Sequence, residues 1–152
     1  MSKYWKKTNY YFCKSLSYHL FYGLVFMFNS QHKKVYYCAT TGRASLVLSK
    51  TKGQTLHSFL GCGDLHLPLS TLKHHLKNNE IYQQARRRIS TADVVGVDEV
   101  SMMSAYVISV FNEVCQHVRG NTMPFGGIQV FIYLCNNHDN YTFTTSKKVS
   151  RP

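Results

Sequence analysis

Acidic side chains are scarce in this 152-residue sequence. Lys and Arg together number 18, whereas Asp and Glu number only 7, so the net charge is +11 with neutral histidines. An uncompensated positive charge favours a polyanionic partner, nucleic acid before a membrane surface, but it also fits a basic surface that faces only solvent. The composition leaves both interpretations open.

The sequence also lacks closely spaced cysteines. Its five cysteines are odd in number, widely separated and never arranged as C-x-x-C. This spacing argues against a disulfide framework and against a zinc site, and it fits a reducing compartment. The eight histidines have no metal-ligand spacing with these cysteines, so we expect no metal cluster.

No apolar run is long enough to span a bilayer. The best candidate, residues 20–28, is interrupted by Gly23 and is shorter than the about 20 residues that a membrane-spanning helix needs. Residues 1–32 contain no arginine, and no small-residue cleavage site follows the apolar run, which argues against a transit peptide and a secretory signal. We expect no membrane partner and interpret residues 1–32 as a non-homologous aromatic and basic flank. Residues 133–152 are predicted to be a basic, poorly ordered tail.

A valine-rich run within residues 92–103 ends abruptly in two adjacent carboxylates, Asp98 and Glu99. Such a run predicts a central strand of a parallel sheet, because both faces of that strand are covered by helices. In nucleotide hydrolases, acids at the carboxyl end of such a strand hold Mg²⁺ and orient the attacking water. Alternatively, Asp98 caps the next helix and Glu99 complements the dipole of that helix.

A second segment predicts an anion site. The β-branched and aromatic residues 35–39 predict a strand, which leads into Thr40-Thr41-Gly42-Arg43. Thr40 or Thr41 can cap the following helix, whose N–H groups would bind an anion together with Arg43. The alternative is an ordinary turn between a strand and a helix.

Residues 53–63 combine glycines, hydroxyl groups, a histidine and an aromatic ring. This composition predicts a loop that grips a phosphodiester backbone and stacks a base on Phe59. The alternative is that Leu56, Phe59 and Leu60 anchor the loop onto the sheet.

The remaining segments continue the alternation of helices and strands. Ser70 is predicted to cap a weakly amphipathic helix over residues 70–84, and the arginines at 86–88 either contact phosphate or form a solvated face. Ser104 is predicted to cap a stronger amphipathic helix that ends at residues 119–121. A turn at residues 123–127 and a strand at residues 128–134 follow it.

The order of these motifs closely resembles the Pif family of RecD-like, superfamily-one DNA helicases, including the versions carried by Helitron-type transposons. The resemblance covers residues 33–132. It rests on these segments: Thr41-Gly42-Arg43-Ala44, Gly53-Gln54-Thr55-Leu56-His57-Ser58-Phe59 with Gly61 and Gly63, Asp98-Glu99-Val100-Ser101-Met102, and Pro124-Phe125-Gly126-Gly127-Ile128-Gln129.

The resemblance implies an α/β fold: a partial RecA-like (P-loop NTPase) domain with a mostly parallel sheet flanked by helices. It implies that Asp98 coordinates the Mg²⁺ of bound ATP and that Glu99 positions the hydrolytic water. It further implies that a group of residues faces single-stranded DNA: Thr41, Gly42, Arg43, His57, Ser58 and Phe59.

The sequence departs from the family pattern at the phosphates. Members of the family carry a glycine-rich loop ending in Gly-Lys-Ser or Gly-Lys-Thr, and this sequence contains no Gly-Lys pair. The family's Gly-Asp-Phe-x-Gln segment and its second RecA-like domain are also absent. We therefore assign no ATP-binding residues and expect a truncated helicase that is inactive alone.

By resemblance, the function is that of an ATP-dependent DNA helicase in DNA repair, recombination and telomere maintenance, located in the nucleus or alternatively in the mitochondrion. A non-catalytic basic module that binds single-stranded nucleic acid is the main alternative, and a fragment that does not fold stably is a further one. No oligomeric state is predicted.

Overall fold

The computed structural model describes residues 23, 27, 28, 30–47, 53–63, 67–100, 103–132 and 144–145. Most of the predicted flank (1–32) and most of the predicted tail (133–152) lie outside these ranges. The boundaries assigned to the flank, the domain and the tail therefore stay predictions.

Helices and strands alternate along the described part of the chain. In chain order the elements are β1 (Val35–Ala39), α1 (Gly42–Val47), β2 (Gln54–Thr55), α2 (Leu56–Leu60), α3 (Leu69–Asn78), a 3-10 helix (Glu80–Tyr82), α4 (Gln83–Thr91), β3 (Val94–Asp98), α5 (Ala105–Arg119), another 3-10 helix (Pro124–Gly127), β4 (Gln129–Ile132) and β5 (Thr144–Thr145).

The strands form one sheet in the order β2-β1-β3-β4-β5. The first four are parallel to their neighbours, and β5 pairs antiparallel with β4. The α/β prediction with a mostly parallel sheet is confirmed. Because parallel strands share a direction, the carboxyl ends of β2, β1, β3 and β4 meet at one edge of the sheet, which we call the carboxyl edge.

β3 is the central strand, hydrogen-bonded to β1 on one side and to β4 on the other. Val94, Val95 and Val97 are all buried, with at most 2% of each residue exposed. Since successive side chains of a strand point to opposite faces, burial of all three valines shows that both faces are covered. The central strand was therefore predicted correctly.

The helix predicted over residues 70–84 is divided in the structure. Asn79 has an extended backbone between α3 and the next 3-10 helix, and its side-chain oxygen accepts a hydrogen bond from the Ile81 N–H at 3.0 Å. Asparagine favours such local bonds over a continuous helix. Ser70 is not the cap either, because α3 begins after Pro68 without a side-chain cap.

Three arginines bind the carboxyl ends of helices. Arg86 Nη1 lies 2.9 and 2.7 Å from carbonyl oxygens in the last turn of α3. Arg88 Nη2 lies 2.6 Å from the Ser58 carbonyl oxygen of α2, and Arg119 Nη1 lies 2.8 Å from the Ala92 carbonyl oxygen beyond α4. Carbonyl groups at the carboxyl end of a helix have few partners within the helix, so these guanidinium groups provide hydrogen bonds there and complement the helix dipoles.

The turn at residues 124–127 packs against the end of α5. The prediction that Ser104 caps this helix is confirmed, since its hydroxyl accepts the Val107 N–H at 3.3 Å. After the helix, Gly126 adopts φ +61°, and a Cβ placed there would lie 2.6 Å from the Cys115 carbonyl oxygen. Glycine at this position therefore permits contact between the turn and the helix backbone.

Within the described ranges, no helix combines the length and the apolar character that crossing a bilayer requires.

We predict that Gly126→Ala destabilises the fold more than Gly120→Ala, a matched control with φ +60° and no atom within 4 Å of the position that the alanine methyl group would take. Both changes place alanine in the left-handed region, at a cost of about 1–2 kcal/mol. Gly126→Ala adds overlap with the Cys115 carbonyl, for about 1–3 kcal/mol more. Urea unfolding would measure both, and equal midpoints would contradict the close contact.

Candidate functional site

The carboxyl edge gathers the sequence-predicted site residues. Asp98 ends β3, and Glu99 follows it. The Thr41-Gly42-Arg43 segment follows β1, and His57 and Ser58 follow β2. Because β2, β1 and β3 are adjacent parallel strands, these segments from distant parts of the sequence leave the sheet side by side.

The two acids occupy a sharply turned backbone. The Asp98 carboxylate accepts a hydrogen bond from the Glu99 N–H, with 2.8 Å between Oδ1 and N. Glu99 itself has φ +56°, in the left-handed region that non-glycine residues rarely adopt. Strain of this kind is concentrated at functional sites, where surrounding contacts must hold it in place.

Thr40 supplies such contacts. Its N–H donates to the Asp98 carbonyl oxygen at 3.3 Å, and its hydroxyl donates to the Glu99 carbonyl oxygen at 2.9 Å. These two hydrogen bonds join the turn after β1 to the turn after β3. The sequence suggested Thr40 only as a possible helix cap, and no local pattern could have revealed a partner 59 positions away.

Thr41, rather than Thr40, caps α1. The Thr41 hydroxyl accepts the Ala44 N–H at 3.2 Å, and the adjoining Gly42 and Arg43 are exposed. The choice between Thr40 and Thr41 as the cap is therefore decided in favour of Thr41. The capped turn presents a guanidinium group to solvent at the carboxyl edge.

His57 and Ser58 lie in a helix and not in the predicted loop. Thr55 caps α2 by accepting the Ser58 N–H at 3.1 Å, and Gly61 ends the helix with φ +71°. Glycines and hydroxyl residues, which we interpreted as loop-forming, serve here as the two caps of a short helix. Ser58 is exposed, and His57 is partly buried.

The prediction that Phe59 stacks a nucleic-acid base is wrong for this structure, because its side chain is 0% exposed. Its ring packs 5.4 Å from the Tyr36 ring of β1 and 6.4 Å from the Phe111 ring of α5, measured between centroids. The open alternative, in which Leu56, Phe59 and Leu60 anchor the segment onto the sheet, is confirmed.

An open cavity of about 500 Å³ lies beside Ser58, at the end of α2. Arg88 and Tyr82 line it, together with Ile81, of which 85% is exposed. Cys62 also lines the cavity, and burial raises the pKa of its thiol to about 11, so this cysteine stays protonated at neutral pH. No local sequence pattern indicates this cavity, because it forms between segments that are distant in the sequence.

In the part of the chain that the structure describes, no group of three or more His, Cys, Asp and Glu residues could hold a metal ion alone. Mg²⁺ in nucleotide-binding sites uses one or two carboxylates and takes its other ligands from phosphates and water. A partly buried carboxylate at Asp98 fits that donor set. Asp98 would hold the ion, which would supply positive charge to offset that of the phosphate groups.

The fold and this edge define the class of the protein: a RecA-like α/β domain of the kind found in nucleotide hydrolases. A family model described as PIF1-like helicase matches residues 15–137. The chain belongs to the PIF1-like helicase family.

Curated relatives agree with this family. The chain is 42% identical over 94 residues to the ATP-dependent DNA helicase PIF7 of Trypanosoma brucei brucei, an overlap of 62% of this chain and 9% of the relative. It is 36% identical over 94 residues to the ATP-dependent DNA helicase PIF1 of Emericella nidulans, covering 62% of this chain and 12% of that protein. The chain thus spans about a tenth of the length of these relatives.

Solved structures show the same fold. Pif1 helicase from Candida albicans superposes with a TM-score of 0.60 at 31% identity, covering 72% of this chain and 23% of that one. Bacteroides Pif1 with ADP-AlF4 gives 0.55 at 22% identity, with 72% and 24% covered. Bacteroides Pif1 bound to ssDNA gives 0.52 at 21% identity, with 70% and 24% covered.

We predict that Phe59→Ala lowers the free energy of unfolding by about 3–5 kcal/mol, because it empties a packed aromatic site. Ser58→Ala, at the exposed neighbouring position, should change it by less than about 0.5 kcal/mol. Urea denaturation followed by circular dichroism measures both. An unchanged midpoint for Phe59→Ala would contradict the burial of this ring and would favour the prediction that it stacks on a nucleic-acid base.

Proposed function

We propose that this chain provides the edge of an ATP-dependent DNA helicase that binds single-stranded DNA and carries the hydrolytic acids. The observation that supports this proposal is the convergence of three strand ends, which bring Asp98 and Glu99 beside the Thr41-Gly42-Arg43 turn and the Ser58 helix. The family membership supplies the reaction class.

On the DNA side, we propose that Thr41, Gly42, Arg43, His57 and Ser58 contact the strand. Arg43 and Ser58 are exposed at the carboxyl edge, where a guanidinium group and a hydroxyl can bind phosphate oxygens. The Bacteroides neighbour bound to ssDNA supports single-stranded DNA as the class of partner. Phe59 is not among the proposed DNA contacts, because its side chain is buried.

On the nucleotide side, we propose that Asp98 coordinates the Mg²⁺ of bound ATP and that Glu99 orients the attacking water. The left-handed backbone at Glu99 and its bond to the Asp98 carboxylate hold the two acids in a defined relation. The Bacteroides neighbour with ADP-AlF4 supports the use of ATP in this family.

We further propose that the function belongs to DNA repair, recombination and telomere maintenance, in the nucleus or alternatively in the mitochondrion. These finer assignments come from the resemblance to Pif helicases. Localising a tagged full-length product of the gene would decide between the two compartments.

A second candidate function is a non-catalytic module that binds single-stranded nucleic acid. The net charge of +11 and the exposed Arg43 favour it, together with the lack of a Gly-Lys pair in these 152 residues. This candidate shares the proposed DNA contacts of the first candidate and differs from it only in that ATP is not hydrolysed.

We predict that Arg43→Gln weakens binding to an oligothymidylate. The slope of log affinity against log salt should become less negative by about 0.7, the change expected for the loss of one phosphate contact on single strands. Lys34→Gln is the matched control, because it removes the same charge from an exposed residue just before β1, at the opposite edge of the sheet. Fluorescence anisotropy at several salt concentrations measures both. Equal effects would indicate attraction by overall charge alone.

We predict that the isolated chain shows no ATP hydrolysis stimulated by single-stranded DNA, because charge on the transferred phosphate would lack a lysine and a phosphate-binding loop to stabilise it. Release of phosphate with and without oligonucleotide measures this. Hydrolysis that depends on DNA and disappears in Glu99→Gln would contradict the prediction and favour the first candidate over the second.

A further inference from the structure

We propose that Thr40 is a positioning residue that couples DNA binding at the Thr41-Gly42-Arg43 turn to the conformation of Glu99. This inference rests on the proposed function, since it takes the turn after β1 as the DNA contact. It adds a residue and a physical connection that the motifs themselves do not specify.

The connection consists of two hydrogen bonds from one residue. The Thr40 N–H reaches the Asp98 carbonyl oxygen at 3.3 Å, and the Thr40 hydroxyl reaches the Glu99 carbonyl oxygen at 2.9 Å. The first continues the ladder between β1 and β3, in which Ala39 lies opposite Asp98. The second lies beyond the end of β3 and depends on the side chain alone.

The hydroxyl contact holds a residue whose backbone is sensitive to displacement. Glu99 has φ +56°, a conformation that persists only when surrounding contacts impose it. The Glu99 N–H is also bonded to the Asp98 carboxylate at 2.8 Å. A rotation of this one residue would therefore move both acids relative to each other.

The other end of the connection is the DNA-facing turn. Thr40 is covalently followed by Thr41, whose hydroxyl is bonded to the Ala44 N–H, so the turn and the start of α1 move together. Phosphate contacts made by Arg43 would shift or restrain this unit. Because Thr40 is bonded to the Glu99 carbonyl, the same displacement reaches Glu99 without any DNA contact at the acids.

A purely structural role for the Thr40 hydroxyl predicts a different result. In that case the bond stabilises the turn, and its loss lowers stability without changing how Glu99 responds to DNA. The two roles are separated by measuring the response of Glu99 directly, in the full chain and without nucleotide.

The experiment follows the backbone amide resonances of the ¹⁵N-labelled 152-residue chain during titration with oligothymidylate. We expect the Arg43 amide and the Glu99 amide to shift together in the unaltered protein. Thr40→Val, which keeps the shape and removes the hydroxyl, should remove most of the shift at Glu99. The shift at Arg43 should remain, and the affinity should change by less than about twofold.

Two further variants complete the test. Thr40→Ser restores the hydroxyl and should restore the response of Glu99. Thr91→Val is the control: the Thr91 hydroxyl donates to the Arg87 carbonyl oxygen at 2.7 Å and lies 3.4 Å from the Tyr36 hydroxyl near the start of β1, away from the carboxyl edge. Its Glu99 response should equal that of the unaltered protein.

The outcomes separate the inference from the proposed function. If Arg43 shifts on binding and Glu99 does not, the coupling is overturned while the DNA contact stands, and this result needs no variant to fold. If Thr40→Val keeps the full Glu99 response, Thr40 is not the connection. If DNA shifts neither residue, the proposed DNA contact fails, and the coupling fails with it.

Discussion

The parallel pairing of β1 with β3 is the constraint on which the rest of this structure depends. Its register places Val35 opposite Val94 and Ala39 opposite Asp98, so the two strands end level with each other. The chain leaving β1 and the chain leaving β3 therefore emerge side by side. A slip of one residue would move Asp98 away from its position opposite Ala39, so this register fixes where the acids lie relative to the turn after β1.

Some of the positively charged side chains stabilise the fold, and others are exposed at the surface. Arg86, Arg88 and Arg119 bind backbone carbonyl oxygens at the ends of helices, and these contacts join α4 to α3, α4 to α2 and α5 to the end of α4. Part of the +11 net charge is thus committed to the fold. Overall charge is consequently a weaker argument for a nucleic-acid partner than its magnitude suggests. The position of exposed charge at the carboxyl edge is the stronger argument.

Much of the fold could be predicted from the sequence, because its main signals are local. The apolar run of β3, the β-branched residues of β1 and the helical spacing of α5 each predicted an element that the structure contains. The segment from 53 to 63 was misinterpreted because capping residues and loop residues are the same amino acids. The segment of Phe59 allowed either a stacking ring or a buried anchor, and it could not decide between them, since burial depends on Phe111 in α5.

The candidate site likewise has one part that the sequence predicted and one part that only the structure shows. Asp98 and Glu99 were evident as adjacent acids, and their roles come from the resemblance to helicases. The link through Thr40 joins residues 59 positions apart and required the paired strands to be known. The placement of the acids depends on strand pairing and on hydrogen bonds within the described domain, whereas their chemistry depends on a held phosphate. The left-handed Glu99 backbone and its hydrogen bonds to Asp98 and Thr40 need no nucleotide, so the proposed DNA contacts and their proposed connection to Glu99 do not require ATP turnover.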